Sequence, residues 1–154
     1  MDDQSTSIAQ HVRVMQIIAG ALVMGAVAFA LISTLVLGSL SAQPEGQIIS
    51  LIGIGWAAVS VVAHFVVPDV IAQAALKSRP ESDAASLCGV YLTKTIVAMA
   101  LLEGAAFLNL VALTVEHNWW SLAVAGGLVF LMLVQMPTLT RVQQWIEIQQ
   151  MNSE

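Results

Sequence analysis

The sequence is poor in charge: of 154 residues five are Lys or Arg and ten are Asp or Glu, 10% together. A soluble domain carries roughly a quarter of its residues as charge to wet its surface, so much of this exterior must face something other than water. Basic clusters are missing too. The net charge is −5 and the few cations are scattered, which excludes nucleic acid as a partner. A single cysteine, Cys88, excludes an internal disulfide. There is no glycine loop to cradle phosphate, no nucleophile beside a base and no cluster of carboxylates, so no enzyme activity is expected.

What the chain has is apolar sequence, 58% of it. Crossing a hydrocarbon core of about 30 Å takes roughly 20 helical residues. Four charge-poor runs are of this order, at residues 14–37, 48–67, 94–115 and 119–136, and each predicts a transmembrane helix. The acidic start and long apolar core of the first run count against a cleaved signal peptide. Residues 1–13 form a polar tail, expected to be loose and cytoplasmic. Pro44 and Gly46 break the chain between the first two runs. At Pro68-Asp69 the pattern changes, and 68–93 is expected to be a cytoplasmic loop with short helices, its first part a surface helix or a bent continuation of the second span. Within it, Ser78-Arg79-Pro80-Glu81 reads as a turn. Ser82 reads as the N-cap of a helix from near Asp83 that is able to run straight into the third span. Glu116-His117-Asn118 makes a tight hairpin, and Pro137 ends the fourth run. Beyond it Leu139, Val142, Trp145 and Ile146 form one apolar stripe, which predicts an amphipathic helix over 138–150 lying on the inner leaflet; an ordinary polar tail is the alternative. The expected fold is all-α: a polytopic four-transmembrane-helix bundle, one membrane domain, plus this interfacial helix.

All five basic residues, Arg13, Lys77, Arg79, Lys94 and Arg141, fall on one side of this arrangement. Lys and Arg are retained in the cytoplasm during insertion, so both termini are expected there, in a cell (inner) membrane. Trp119 and Trp120 at the outer end, with Tyr91 and Trp145 near the inner surface, suit aromatic belts. Every run carries a pair of small residues four apart: Ala21 with Gly25, Gly53 with Ala57, Ala100 with Gly104, and Ala123 with Gly127. Such pairs let helices approach closely, either within a bundle or between copies.

Among the polar residues inside the runs, Glu103, His64 and Asn109 are the candidates for an intramembrane site. A charged carboxylate at mid-membrane costs roughly 2.5–3.5 kcal/mol on insertion scales. Glu103 therefore reads either as a neutral acid bonded to another helix or as a proton-, ion- or substrate-binding group. Asn109, six residues on, is turned about 240° away at 3.6 residues per turn and reads as a structural bond to another helix. His64 has three readings: packing, pairing with Glu103 if the second helix continues through Pro68, or ligation. A haem in a bundle wants two facing imidazoles, and His11 and His117 lie outside the runs on opposite sides, so no cofactor or metal is expected.

The stretches KTIVAMALLEGAAFLNLVAL and MPTLTRVQQWIE resemble small uncharacterised bacterial four-helix integral membrane proteins, a resemblance that covers the second half of the chain and implies no activity. The Ser78–Glu81 turn followed by LLEGAAFLNLVAL is superficially similar to the second helix of rotor-ring proteolipids, but the dense glycine ladder of that family is missing from the preceding helix. Small multidrug exporters also have four helices and a membrane glutamate, but in their first helix, which here has no charge. The expected role is that of a membrane scaffold or accessory subunit, with the lipid bilayer and a second copy or a larger membrane protein as partners. The alternative is a small proton- or cation-coupled transporter using Glu103.

Overall fold

A computed structural model describes residues 2–40, 43–78 and 84–151, with side chains from Ile8 onward. The chain is all helix among these residues: α1 (Asp2–Leu31) running into a π-helical turn (Ile32–Val36), α2 (Ile48–Lys77), α3 (Ala84–Glu116), α4 (Trp119–Val134) and α5 (Leu139–Met151). The turn expected at Ser78–Glu81, the Ser82 cap, the Asp83 start and Arg79 lie wholly or partly outside the described residues. Three helical segments are long and apolar enough to cross a membrane, Ile8–Val36, Ile48–Lys77 and Ala84–Glu116. The 16 residues of α4 rise only about 24 Å at 1.5 Å each, short of a bilayer core. α4 qualifies as a fourth span only together with α5, to which it is bent by 67°.

Of the alternatives at 68–93, the structure takes the continuous ones: the second helix continues past Pro68, and the helix expected from near Asp83 runs straight into the third span. α2 does not stop at Pro68 but runs on to Lys77, and α3 already begins by Ala84, so most of the expected 68–93 loop is a helical extension of the neighbouring runs. Proline removes one backbone hydrogen bond from a helix interior, yet Pro68 is buried against the bundle, where packing and the Asp69–Lys94 ion pair hold the two helices together. The N-terminus differs from expectation. The polar tail is helical from Asp2, and Val12 within it and Met15 just beyond it are buried.

The organising element is α3, which packs on all four other helices. Its Leu102, Ala105, Ala106, Leu110 and Leu113 are wholly buried among α1, α2 and α4. α2 meets it in an unusual way. The buried residues of α2 are Ser50, Gly53, Ala57, Ser60, His64, Pro68 and Ala72, three or four apart and mostly small or polar. Its large side chains, Ile52, Trp56, Val59, Val62, Phe65 and Val66, all point outward. In a medium as apolar as leucine no hydrophobic gain drives large side chains inward, and close backbone approach decides which face is buried. Gly53 marks the closest approach. A Cβ there would lie 2.9 Å from Asn109 Oδ1.

A second core lies at the basic end, where Val12 and Met15 of α1 meet Leu87 and Cys88 of α3 and Val142 and Ile146 of α5. The expected α5 stripe is divided, with Leu139 exposed and the rest turned to the bundle. Val142 is wholly buried and Ile146 nearly so, against protein rather than lipid. Val12 and Met15 near the start of α1 and the first turns of α3 supply the surface that α5 covers. A hydrogen bond from Gln16 Nε2 to the Pro137 carbonyl, 3.0 Å, ties α1 to the α4–α5 link.

Gly53→Ala is expected to destabilise the fold by about 1–3 kcal/mol, the usual cost of overpacking a tight contact. Gly55→Ala, where a Cβ meets nothing, should be neutral or slightly stabilising. Thermal unfolding of both variants in one detergent makes the comparison.

Candidate functional site

The residues singled out from sequence occupy four different surroundings. Asn109 is buried between α2 and α3 and donates to the Gly53 carbonyl at 3.0 Å and to its own Ala105 carbonyl at 2.9 Å. Both partners only accept, which fixes the amide orientation. His64 is buried on α2 and its Nδ1 donates to the Ala98 carbonyl of α3 at 2.9 Å. Glu103 faces neither of them. It is half-buried on the α1 side of α3, where a Cβ on Gly25 would lie 3.6 Å from its Oε1, and it has no hydrogen-bond or ion-pair partner among the described residues. α2 does continue through Pro68, yet His64 and Glu103 do not pair, because His64 turns to the α3 backbone while Glu103 turns from α3 towards α1. Among the small-residue pairs, Gly53 and Ala57 are buried at the α2–α3 seam, and Gly25 sits under Glu103. Ala21, Ala100, Gly104, Ala123 and Gly127 are exposed on the outside of the bundle.

Two polar assemblies were not read from the sequence. At the end opposite the basic residues, Glu116 reaches back from the last turn of α3 to the first turn of α2. Its carboxylate accepts the Ile49 N–H at 2.7 Å and the Ser50 N–H at 2.8 Å. Gln47, the residue before α2, makes no side-chain cap, so Glu116 supplies the acceptor that a helix start needs and places negative charge at the positive end of the helix. Asn118 donates to the Gly46 carbonyl and to Ser50 Oγ, and the Ser121 hydroxyl donates to the same Ser50 oxygen at 3.1 Å. The loops at this end are thereby clamped together.

The second assembly is a groove of about 310 Å³ at the other end, formed where α4 bends into α5. α2 contributes His64 and, one turn on, Pro68 and Asp69. α3 contributes Tyr91, Lys94, Thr95 and Ala98, spaced three or four apart on one face. The bend contributes Gln135 and Arg141. Arg141 turns back to donate from Nη1 to the Val134 carbonyl at 3.2 Å, closing the frayed end of α4. Lys94 is ion-paired with Asp69, and Tyr91 packs edge-on against Trp145 of α5, ring centroids 5.4 Å apart. Lys94 and Arg141 look in sequence like topology markers alone. The only signal that they meet is the Pro137 break, which forces a bend beside them. Among the described residues no three His, Cys, Asp or Glu side chains are grouped to hold a metal ion.

Glu116→Ala is expected to speed hydrogen exchange at the Ile49 and Ser50 amides and to lower the thermal midpoint, with Glu116→Gln between it and the parent. Exchange at α2 amides around Ala58 should be unchanged; slowing or no change at Ile49 and Ser50 would remove the cap from the account.

Compared with known proteins, the chain matches no family model, no curated sequence and no solved structure.

Proposed function

We propose that the chain is a four-span protein of the inner membrane with both termini in the cytoplasm, working as a scaffold or accessory subunit rather than as an enzyme. α4 and the start of α5 form the fourth crossing in this reading, short because the bend turns α5 along the membrane surface. The observation that carries it is how the polar groups of the apolar helices are used: the Asn109 amide and His64 Nδ1 each donate to a backbone carbonyl of a neighbouring helix and Glu116 caps another helix, so these donors and this carboxylate hold the bundle together. Meanwhile α2 turns an unbroken apolar face outward from Ile52 to Val66, and α3 and α4 expose Gly104 and Gly127, surfaces suited to lipid and to a second helix at close range. The orientation is supported by the placement of Arg13, Lys77, Lys94 and Arg141 around the second core and the groove, with Glu45 and Glu116 at the other end.

A specific observation favours the transporter as a second reading. Glu103 has no partner among the described residues, and a carboxyl without one inside a membrane is a functional candidate. Purified protein in liposomes separates the two. The scaffold reading predicts no proton or cation flux above empty liposomes and unchanged assembly for Glu103→Gln. A flux abolished by Glu103→Gln with assembly intact would replace it with transport. A reporter fused after Met151 is expected to be cytoplasmic and one inserted at His117-Asn118 to be outside.

A further inference from the structure

Donors outnumber acceptors in the groove at the α4–α5 bend. Lys94 and Arg141 are cations from different helices, and among the described residues Asp69 is the only carboxylate on the walls, already engaged by Lys94. A guanidinium has five N–H donors and an ammonium three, whereas Arg141 uses one side-chain donor on the Val134 carbonyl. The Thr95 hydroxyl is spent on the Tyr91 carbonyl at 2.9 Å, which leaves the Gln135 amide and the Tyr91 hydroxyl as further donors. His64 forms a wall of the groove and is only 4% exposed. With Nδ1 given to Ala98, its Nε2 is a polar atom without a partner among the described residues. A cation would find one occupied carboxylate here. An anion would find a guanidinium and an ammonium lining the same groove.

We propose that this groove binds one anionic phosphate group, held by Arg141 and Lys94 with Gln135 and Tyr91 as neutral donors. Arginine suits the task because its planar fork meets two phosphate oxygens at once. Lys94 opens the third apolar run, so the groove lies at headgroup depth on the side where basic pockets between membrane helices take anionic lipids. The volume of about 310 Å³ compares with about 30 Å³ for each water in the liquid, enough for a phosphate with its neighbouring headgroup atoms. The source of the phosphate is either a lipid of the surrounding bilayer or the cytoplasm, and the chemistry of the site is the same for both. The inference rests on the membrane reading for the depth of the groove and is independent of whether the chain is a scaffold or a transporter.

The test uses the full chain in nanodiscs of phosphatidylcholine containing a minor fraction of phosphatidylglycerol, with native mass spectrometry counting the lipids retained. The expected result is one phosphatidylglycerol held in preference to phosphatidylcholine. Arg141→Gln should weaken that retention about fivefold, the factor belonging to one basic contact at a membrane surface. Arg13→Gln, which removes a cation from the same end outside the groove, should not. Because Arg141 also closes α4, the pair Lys94→Gln with Asp69→Asn provides a second variant that removes the ammonium without stranding a charge. In a parallel arm, inorganic phosphate is added to the protein in pure phosphatidylcholine. A rise in thermal midpoint there that both groove variants lose assigns the ligand to the cytoplasm and keeps the site. Equal losses for Arg13→Gln and the groove variants, or neither lipid preference nor a phosphate effect, would overturn the proposal.

Discussion

The contact on which the rest of the molecule depends is the close approach of α2 to α3 at Gly53 and Asn109. Without a Cβ on Gly53 the two backbones come near enough for an Asn109 amide to reach a carbonyl of the opposite helix. In an apolar medium such a hydrogen bond adds only about 1 kcal/mol, but it sets register. Once Gly53 faces Asn109, the spacing of three or four brings Ala57, Ser60 and His64 onto the same seam, and the Ser50 amide arrives at Glu116. Both polar assemblies, the Glu116 cap at one end and the groove at the other, lie along this single line of contact.

The two ends differ in kind. At the end away from the basic residues, Glu116, Asn118, Ser50 and Ser121 bond to one another and to loop backbone, so the assembly is closed. At the basic end a groove lies at the α4–α5 bend, and its lining includes long cations with donors to spare. Arg141 serves both purposes, closing α4 with one N–H while presenting the remainder to the groove. α5 is held in place by Val142 and Ile146 on one side and by the Gln16 bond to Pro137 on the other.

Much of the fold was legible in the sequence because run length and hydropathy are averages over 20 residues and survive local errors. The helices centred on the four apolar runs are there, and α5 starts where Pro137 requires a break. The boundaries were harder for a physical reason. Pro68 signals a stop only when the lost hydrogen bond is uncompensated, and its burial beside the Asp69–Lys94 pair is a tertiary fact. The α2 stripe was half legible. Gly53 and Ala57 stand out as a small pair, whereas Ser50, Ser60 and His64 belong to the same face but differ too much in chemistry to be recognised as one pattern. The pairing of helices is likewise silent in one sequence: nothing along the chain says that Glu103 turns to α1 while His64 turns to α3. Glu116 looked like a loop residue because its partners, Ile49 and Ser50, lie 67 and 66 positions away.

The claim that α2 buries its small, polar face and shows its large apolar face to lipid is open to one direct measurement. Spin labels placed singly along residues 50–66, in a chain whose Cys88 is replaced by serine, report collisions with oxygen and with a water-soluble nickel complex in liposomes. The account predicts oxygen accessibility that oscillates with the helical repeat, with maxima at 52, 59, 62 and 66 and minima at 53, 57, 60 and 64, while the nickel complex is excluded from the middle of the helix. An inverted or flat oxygen pattern, or nickel access along its whole length, would contradict it.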